Sequence, residues 1–296
     1  MVYKKSAAEL VFNVFNVILM SIVALVTLYP FTYVLFASLS DPNRFIVHTG
    51  FLLFPKGIDL DSYRRVFMNP VILTGYRNTL IYVTAGTAVN MVMTTMGAYG
   101  LSRKKLYWKK PIMFMIVFTM FFNGGLIPTY LLVKGLGFID TLWALILPGA
   151  VWTWNLIILR TALQDIPEAL IESAKLDGAN DFVILIKIVL PMSMPVLSVM
   201  LLFYSVGHWN TWFYPMIYLR SRDKYPLQLI LREIIISKSM GGMGNMLNTA
   251  AQRDKEKLSY TVKYASIMAA ILPVIFLYPL LQRYFVKGVM IGSLKE

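Results

Sequence analysis

The strongest constraint in this sequence is the recurrence of apolar stretches longer than 18 residues that contain no Asp, Glu, Lys or Arg. About 20 helical residues cross a hydrocarbon core of ~30 Å. A backbone in lipid must satisfy its polar groups within its own segment, which favours helices. Candidate spans lie at 11–39, 78–101, 111–133, 141–159, 192–206 and 264–282. Pro191 and Pro195 interrupt the fifth run. Proline removes an intrahelical bond and clashes with the preceding turn, so a kink is expected there. Apolar residues make up 57% of the 296 and mean hydropathy is +0.63, against roughly 45–50% apolar residues in soluble domains. The expected fold class is an all-α membrane protein with six transmembrane helices.

Lys4 and Lys5 could also begin a signal peptide. The first apolar run is too long for a signal-peptide core and no small-residue cleavage pattern follows, so a retained helix is expected. Lys and Arg in short loops mark the cytoplasmic side. Arg103, Lys104, Lys105, Lys109 and Lys110 separate spans two and three without an acid; Lys4, Lys5, Arg283, Lys287 and Lys295 flank the two ends. Six spans put these segments on one side, with both termini in the cytoplasm. Topology signals thus explain much of the formal charge of +13. They call for membrane lipid rather than nucleic acid as the partner.

The loop at 164–191 breaks this pattern, with Asp165, Glu168, Glu172, Asp177 and Asp181 against only Lys175 and Lys187. Asp165 and Glu168 have capping-box spacing, Pro167 is tolerated in a first turn, and the acids suit a positive helix end. Gly178 offers a stop, followed by Ala179, Asn180, Asp181 and a second apolar helix. Glu168, Glu172 and Lys175 are expected along one face of the first helix, with Leu170 and Ala174 along another.

Glu172-Ser173-Ala174, three residues, Gly178, nine residues and then Ile188-Val189-Leu190-Pro191 resembles the Glu-Ala-Ala (EAA) loop of ATP-binding-cassette (ABC) importer permeases. The one departure is Ser173 for the first Ala. Arg77-Asn78-Thr79, the run from Gly97 to Arg103, Asn123 to Tyr130, and Trp209 to Trp212 resemble the core permease domain of carbohydrate importers. Within that group the chain is similar to the maltose-type second permease, on the branch for complex oligosaccharides. The resemblance covers most of the chain and implies a type I ABC importer permease fold. Residues 1–70 would be an N-terminal span and first extracytoplasmic loop, and 71–296 the core permease domain. It also implies that Glu168, Glu172, Ala174, Asp177, Gly178 and Pro191 form the coupling element, whose short helix sits in a cleft of a separate ATPase. Glu172 would pair with a basic group there, Gly178 would supply the tight turn and Ala174 close packing. Outside the resemblance, these three read as a solvated carboxylate, a helix stop and a small filler. The implied partners are a second homologous permease, two ATPase subunits carrying the ATP and Mg, and an extracytoplasmic solute-binding protein delivering a saccharide.

No G-x-x-x-x-G-K-[ST] phosphate loop is present, so ATP hydrolysis is expected on a partner. With no Cys and only His48 and His208, no metal site is supported. No nucleophile-with-base constellation supports a catalytic residue. His208 reads as a pore-mouth or helix-end residue. A secondary transporter needs intramembrane ionisable residues, and the predicted span cores contain none. A permease for a non-sugar solute is the other alternative.

Sugars are bound by aromatic faces and by amide or hydroxyl groups set in apolar walls. The candidates are Asn123, Trp152, Trp154, Asn155, Tyr204, Trp209, Asn210 and Trp212. Trp and Tyr also anchor membrane interfaces, and both readings stand. The interruption of the third span at Asn123-Gly124-Gly125 and Pro128 is a regional pointer, because broken helices flank substrate paths. The stretch 221–263 is the largest extracytoplasmic loop expected. Its basic excess fits an acidic partner surface, an anionic saccharide or nothing specific. Residues 240–244 within it read as a flexible turn.

Overall fold

The computed structural model describes residues 7–104, 106–241, 261–276 and 279, and among these there is no strand. The chain divides into two compact units, Met1–Asn69 with Ile234–Ile271 and Pro70–Glu233 with Leu272–Glu296.

In the first unit, α1 (Ala7–Leu39) is long and apolar enough to cross a membrane. Its outward residues, such as Val11 and Phe12, are more than half exposed, as a lipid-facing helix requires. Asp41 Oδ1 caps α2 (Pro42–Val47), accepting from Asn43 N at 2.8 Å and Arg44 N at 3.3 Å. Ala37, Phe45 and Leu52 are buried with Tyr33, Phe36 and Tyr264 packed on them. The Ser62 hydroxyl of α3 (Asp61–Met68) donates to Thr261 Oγ1 at 2.8 Å.

The second unit is built on α4 (Pro70–Ser102). Its buried face carries Gly75, Thr79, Tyr82, Gly86, Asn90, Thr94 and Ala98 at three- and four-residue spacing. Small and polar side chains let neighbouring backbones approach and bond across helices. Helices α8 (Thr153–Gln164) and α12 (Met194–Trp209) pack there.

Three of the expected spans are bent. The third is α5 (Lys109–Phe121) and α6 (Leu126–Gly135), which meet at 112°. Asn123 Oδ1 accepts from Gly125 N at 2.9 Å, and Gly125 has φ 82° and ψ 178°, a conformation open essentially to glycine alone. The fourth combines α7 (Trp143–Ile146), a 3₁₀ turn at Leu147–Gly149 and α8, bent by 51°. The fifth runs through α10 (Asp181–Ile184), a π turn at Leu185–Val189 and α11 (Leu190–Met192), then bends 86° into α12. The Pro191 ring excludes the carbonyl four residues back, which widens the turn before it, and Pro195 has no N–H for the Pro191 carbonyl. The expected kink is therefore present.

Alone, α1 and α4 are long enough to span a membrane; counting each bent pair as one span brings the number to five. Thr261–Phe276 (α15) lies on the sixth run, whose residues 277, 278 and 280–282 lie outside the described residues. So do Lys4, Lys5, Lys105, Arg283, Lys287, Lys295 and residues 242–260. The loop 221–263 begins with a 3₁₀ turn at Arg222–Lys224 and a helix, α14 (Leu227–Gly241). Met240 and Gly241 are thus helical rather than a turn. A short apolar helix, α13 (Phe213–Tyr218), precedes them.

Candidate functional site: a docking element and a charge-free cavity

At one end of the second unit, α8 stops at Gln164 and α9 (Glu168–Leu176) begins after Pro167. The capping box expected from Asp165 and Glu168 does not form. Asp165 still belongs to the last turn of α8, its N–H bonded to Ala162 O at 3.3 Å, and Pro167 is the cap. Glu168 instead forms an ion pair with Lys104, at the end of α4. The Glu168 carboxylate raises the Lys104 ammonium above its ordinary pKa, chiefly through that hydrogen bond.

The inward stripe of α9 is Ile171, 6% exposed, with Ala174 packed on the core beside it. Leu170 was expected to share the Ala174 face but is turned outward, one position round the helix. Glu172, Lys175 and Asp177 are exposed, and Leu176 is 90% exposed. Gly178 has φ +83°. Its N–H bonds Lys175 O at 3.1 Å, and Ala179 N bonds Ala174 O at 2.9 Å. This pair of bonds with a left-handed glycine is the Schellman stop. Asn180 Oδ1 then caps α10 through Val183 N at 2.9 Å, and Lys175 pairs with Asp181 across the turn at 3.0 Å. Pro191 lies at the far end of the same element, just before the bend at Ser193. The result is a helix–turn–helix with an apolar inner face and an outer face that carries Glu172, Lys175, Leu176 and Asp177.

A cavity of about 760 Å³ opens among the broken spans. Asn123, Trp152 and Asn210 line it together with His208, Thr211, Tyr214 and Tyr218, and no Asp, Glu, Lys or Arg is among its lining residues. The other proposed path residues sit elsewhere. Trp154, two positions along α8 from Trp152, is 62% exposed. Asn155 is buried, and its Nδ2 has no partner among the described residues. Tyr204 is wholly buried; its hydroxyl shares a hydrogen bond with Thr94 at 2.6 Å and accepts from Trp152 N at 3.4 Å. Trp209 is buried beside Tyr76. Trp212 lies under the Arg232 guanidinium, 4.3 Å from its ring centre.

Behind the cavity wall is a network that sequence reasoning missed. Buried Asn90 donates through Nδ2 to Gly149 O at 2.6 Å and Ala150 O at 2.9 Å, two carbonyls freed by the break in the fourth span. Its Oδ1 lies 2.6 Å from His208 Nε2. The close approach needs glycine: a Cβ on Gly86 would fall 2.5 Å from His208 Nε2, and one on Gly207 would overlap the Trp152 ring. The available signal was the spacing of small and polar residues along α4.

At the opposite end from α9, Asp140 clasps the turn that follows α13. Its carboxylate accepts from Arg220 N (3.0 Å), Ser221 N (3.1 Å), Ser221 Oγ (2.6 Å) and Lys224 Nζ (2.7 Å). The Lys224 ammonium, then the Ser221 hydroxyl, hold its pKa well below the usual carboxylate range. Asp140–Lys224 joins two loops that six spans would place on one side of the membrane, and Lys104–Glu168 joins two from the other.

No protein-family model matches the chain. It is 43% identical over 272 residues to the polygalacturonan/rhamnogalacturonan transport system permease protein YtcP of Bacillus subtilis (strain 168), covering 92% of this chain and 94% of that protein. Protein LplC of the same organism is 37% identical over 286 residues, with 96% and 95% covered. One chain of a crystal structure of a bacterial ABC transporter involved in the import of the acidic polysaccharide alginate superimposes with a TM-score of 0.85. It is 32% identical, over 96% of this chain and 99% of that one. Identity at this level over nearly the whole length, with the same helical fold, means that the chain belongs to the permease subunits of carbohydrate ABC importers.

Proposed function

We propose that this permease forms half of the membrane path for an oligosaccharide and passes the motion of a separate ATPase to that path through Glu168–Pro191. The observation that carries this reading is the form of the docking element. Ile171 and Ala174 anchor α9 to its own core, Gly178 fixes the turn, and Glu172 and Asp177 face outward. A helix held on one side, with two carboxylates and the Leu176 side chain on the other, suits a cleft that offers basic and apolar groups.

The complete importer would comprise this chain, a second homologous permease, two ATPase subunits that bind ATP and Mg, and an extracytoplasmic binding protein. This chain would carry no catalytic group and lie in the cell membrane with both termini in the cytoplasm. That orientation is supported by the basic short loop at 103–110, whose Lys104 pairs with Glu168 of α9. Names of the relatives favour an acidic saccharide as cargo. Since no cation lines this chain's cavity, a uronate carboxylate would find its countercharge on the second permease.

The chain has no cysteine, so Glu172→Cys introduces a unique thiol. In the assembled importer it should cross-link to cysteines placed in the ATPase cleft, while Trp154→Cys should not. A complex in which position 172 stays unlinked and position 154 links would sink the docking assignment.

A further inference from the structure

His208 is one of two histidines in the chain, and nothing in the docking or clasp geometry uses it. Both Asn90 amide hydrogens are directed at backbone carbonyls, Gly149 O and Ala150 O. The Asn90 oxygen therefore offers only lone pairs to the ring nitrogen 2.6 Å away. The proton in that contact must belong to His208, which fixes the neutral ring as the Nε2–H tautomer with Nδ1 a bare acceptor. Among the described residues Nδ1 makes no hydrogen bond. The ring is seated against the backbone of α4, where Gly86 leaves no side chain. His208 is 8% exposed, and the space it meets is the cavity.

We propose that His208 is a saccharide-contacting residue, its Nδ1 accepting a hydrogen bond from a sugar hydroxyl while Asn90 holds the tautomer that makes this possible. The inference rests on the reading of the cavity as the saccharide path. Asn123 supplies the complementary group: its Oδ1 is committed to Gly125 N, which leaves its NH₂ hydrogens to donate. An acceptor and a donor on the lining of one cavity suit neighbouring hydroxyls, each of which can give or take a hydrogen bond. Carbohydrates carry that pattern on every ring, and it requires no charge on the protein.

The experiment uses the assembled importer with only this chain labelled by ¹⁵N-histidine, and His48→Asn to assign the two rings. The ¹⁵N spectrum should show His208 protonated at Nε2 and bare at Nδ1; the reverse tautomer overturns the proposal. Uptake is measured with oligosaccharides released from polygalacturonan and, separately, from alginate. His208→Phe keeps a ring but offers no acceptor. It should raise KM about fivefold to tenfold, the worth of one neutral hydrogen bond. His208→Gln, which can donate to Asn90 and still accept from substrate, should stay within about twofold of wild type. An unchanged KM in the Phe variant, or a Gln variant as impaired as Phe, rejects the role. If the Phe variant does not insert, the Gln variant and the spectrum decide. If wild type takes up neither pool, the saccharide reading fails and the proposal with it. The tautomer signal then still reports whether Asn90 and His208 are paired as described.

Discussion

Replacing Gly178 by Asp separates folding from coupling. The φ of +83° is left-handed, yet an ideal Cβ at Gly178 meets nothing within 4 Å, so the intramolecular cost is strain without collision. For an L residue that strain is roughly 1–2 kcal/mol, and Asp falls at the low end because Asn and Asp tolerate the region best. A carboxylate beside Asp177 at the negative end of α9 adds roughly 0.3–1 kcal/mol. The total, about 2 kcal/mol, lies below the roughly 5–15 kcal/mol stability of a folded domain. The variant should therefore insert and assemble at near-normal levels. Its new side chain projects into the open space where the ATPase is proposed to dock, so uptake and binding-protein-stimulated ATP hydrolysis should fall at least tenfold. Gly178→Ala, with the strain but neither charge nor reach, should be intermediate. The assay is uptake and stimulated ATPase activity in proteoliposomes at matched protein amounts. Normal transport by Gly178→Asp at normal expression would refute the docking argument. Failure to insert would refute the claim that this surface is open.

Two further perturbations address the cavity and the clasp. Gly207→Ala places a methyl on the Trp152 ring, which is already packed on Tyr204 with ring centres 4.9 Å apart. Overpacking of this kind costs roughly 1–3 kcal/mol, and uptake should fall while Gly100→Ala, where nothing lies within 4 Å, leaves it unchanged. Asp140→Ala leaves the Arg220 and Ser221 N–H groups without their acceptor and Lys224 with only the backbone carbonyl of residue 140, and should lower detergent-state stability by about 1–3 kcal/mol. A carboxylate with a depressed folded pKa stabilises above its unfolded value and loses that contribution as pH falls. The clasp should thus make stability flat from about pH 5 to 8 and weaken it only below about pH 4. A thermal-melt series in which Asp140→Ala matches wild type would remove the clasp from the account.

Much of this architecture could be read from residue order because its causes are local. The apolar runs at 11–39 and 78–101 became α1 and α4, Pro191 and Pro195 gave the bend, and Asn123 with Gly125 broke the third span. Other features depend on rotation about a helix axis, which hydropathy does not report. Trp152, the extended residue that caps α8, faces the cavity, while Trp154 in the first turn of α8 faces outward. Leu170 points outward and Ile171 inward for the same reason. Asp165 and Glu168 had the spacing of a cap, but the preceding helix kept Asp165 in its last turn. Asn90 and His208 were invisible as a pair, since their partnership joins residues 118 apart in sequence. The helix inside 221–263 follows a loop rich in charge, where hydropathy alone suggested no regular element.

The 86° bend at Ser193 makes the fifth span a bell-crank. One arm, α10 with its π turn and α11, continues directly from the turn at Gly178; the other, α12, ends in Gly207, His208 and Trp209. At 1.5 Å per residue the distance from Met194 to His208 is about 21 Å. A swing of about 10° at the elbow would sweep the His208 end through about 4 Å, more than the length of a hydrogen bond. Because His208 is held to Asn90 and seated against Gly86, such a swing would have to carry α4 along with α12, so the proposed coupling would move the cavity wall as one body.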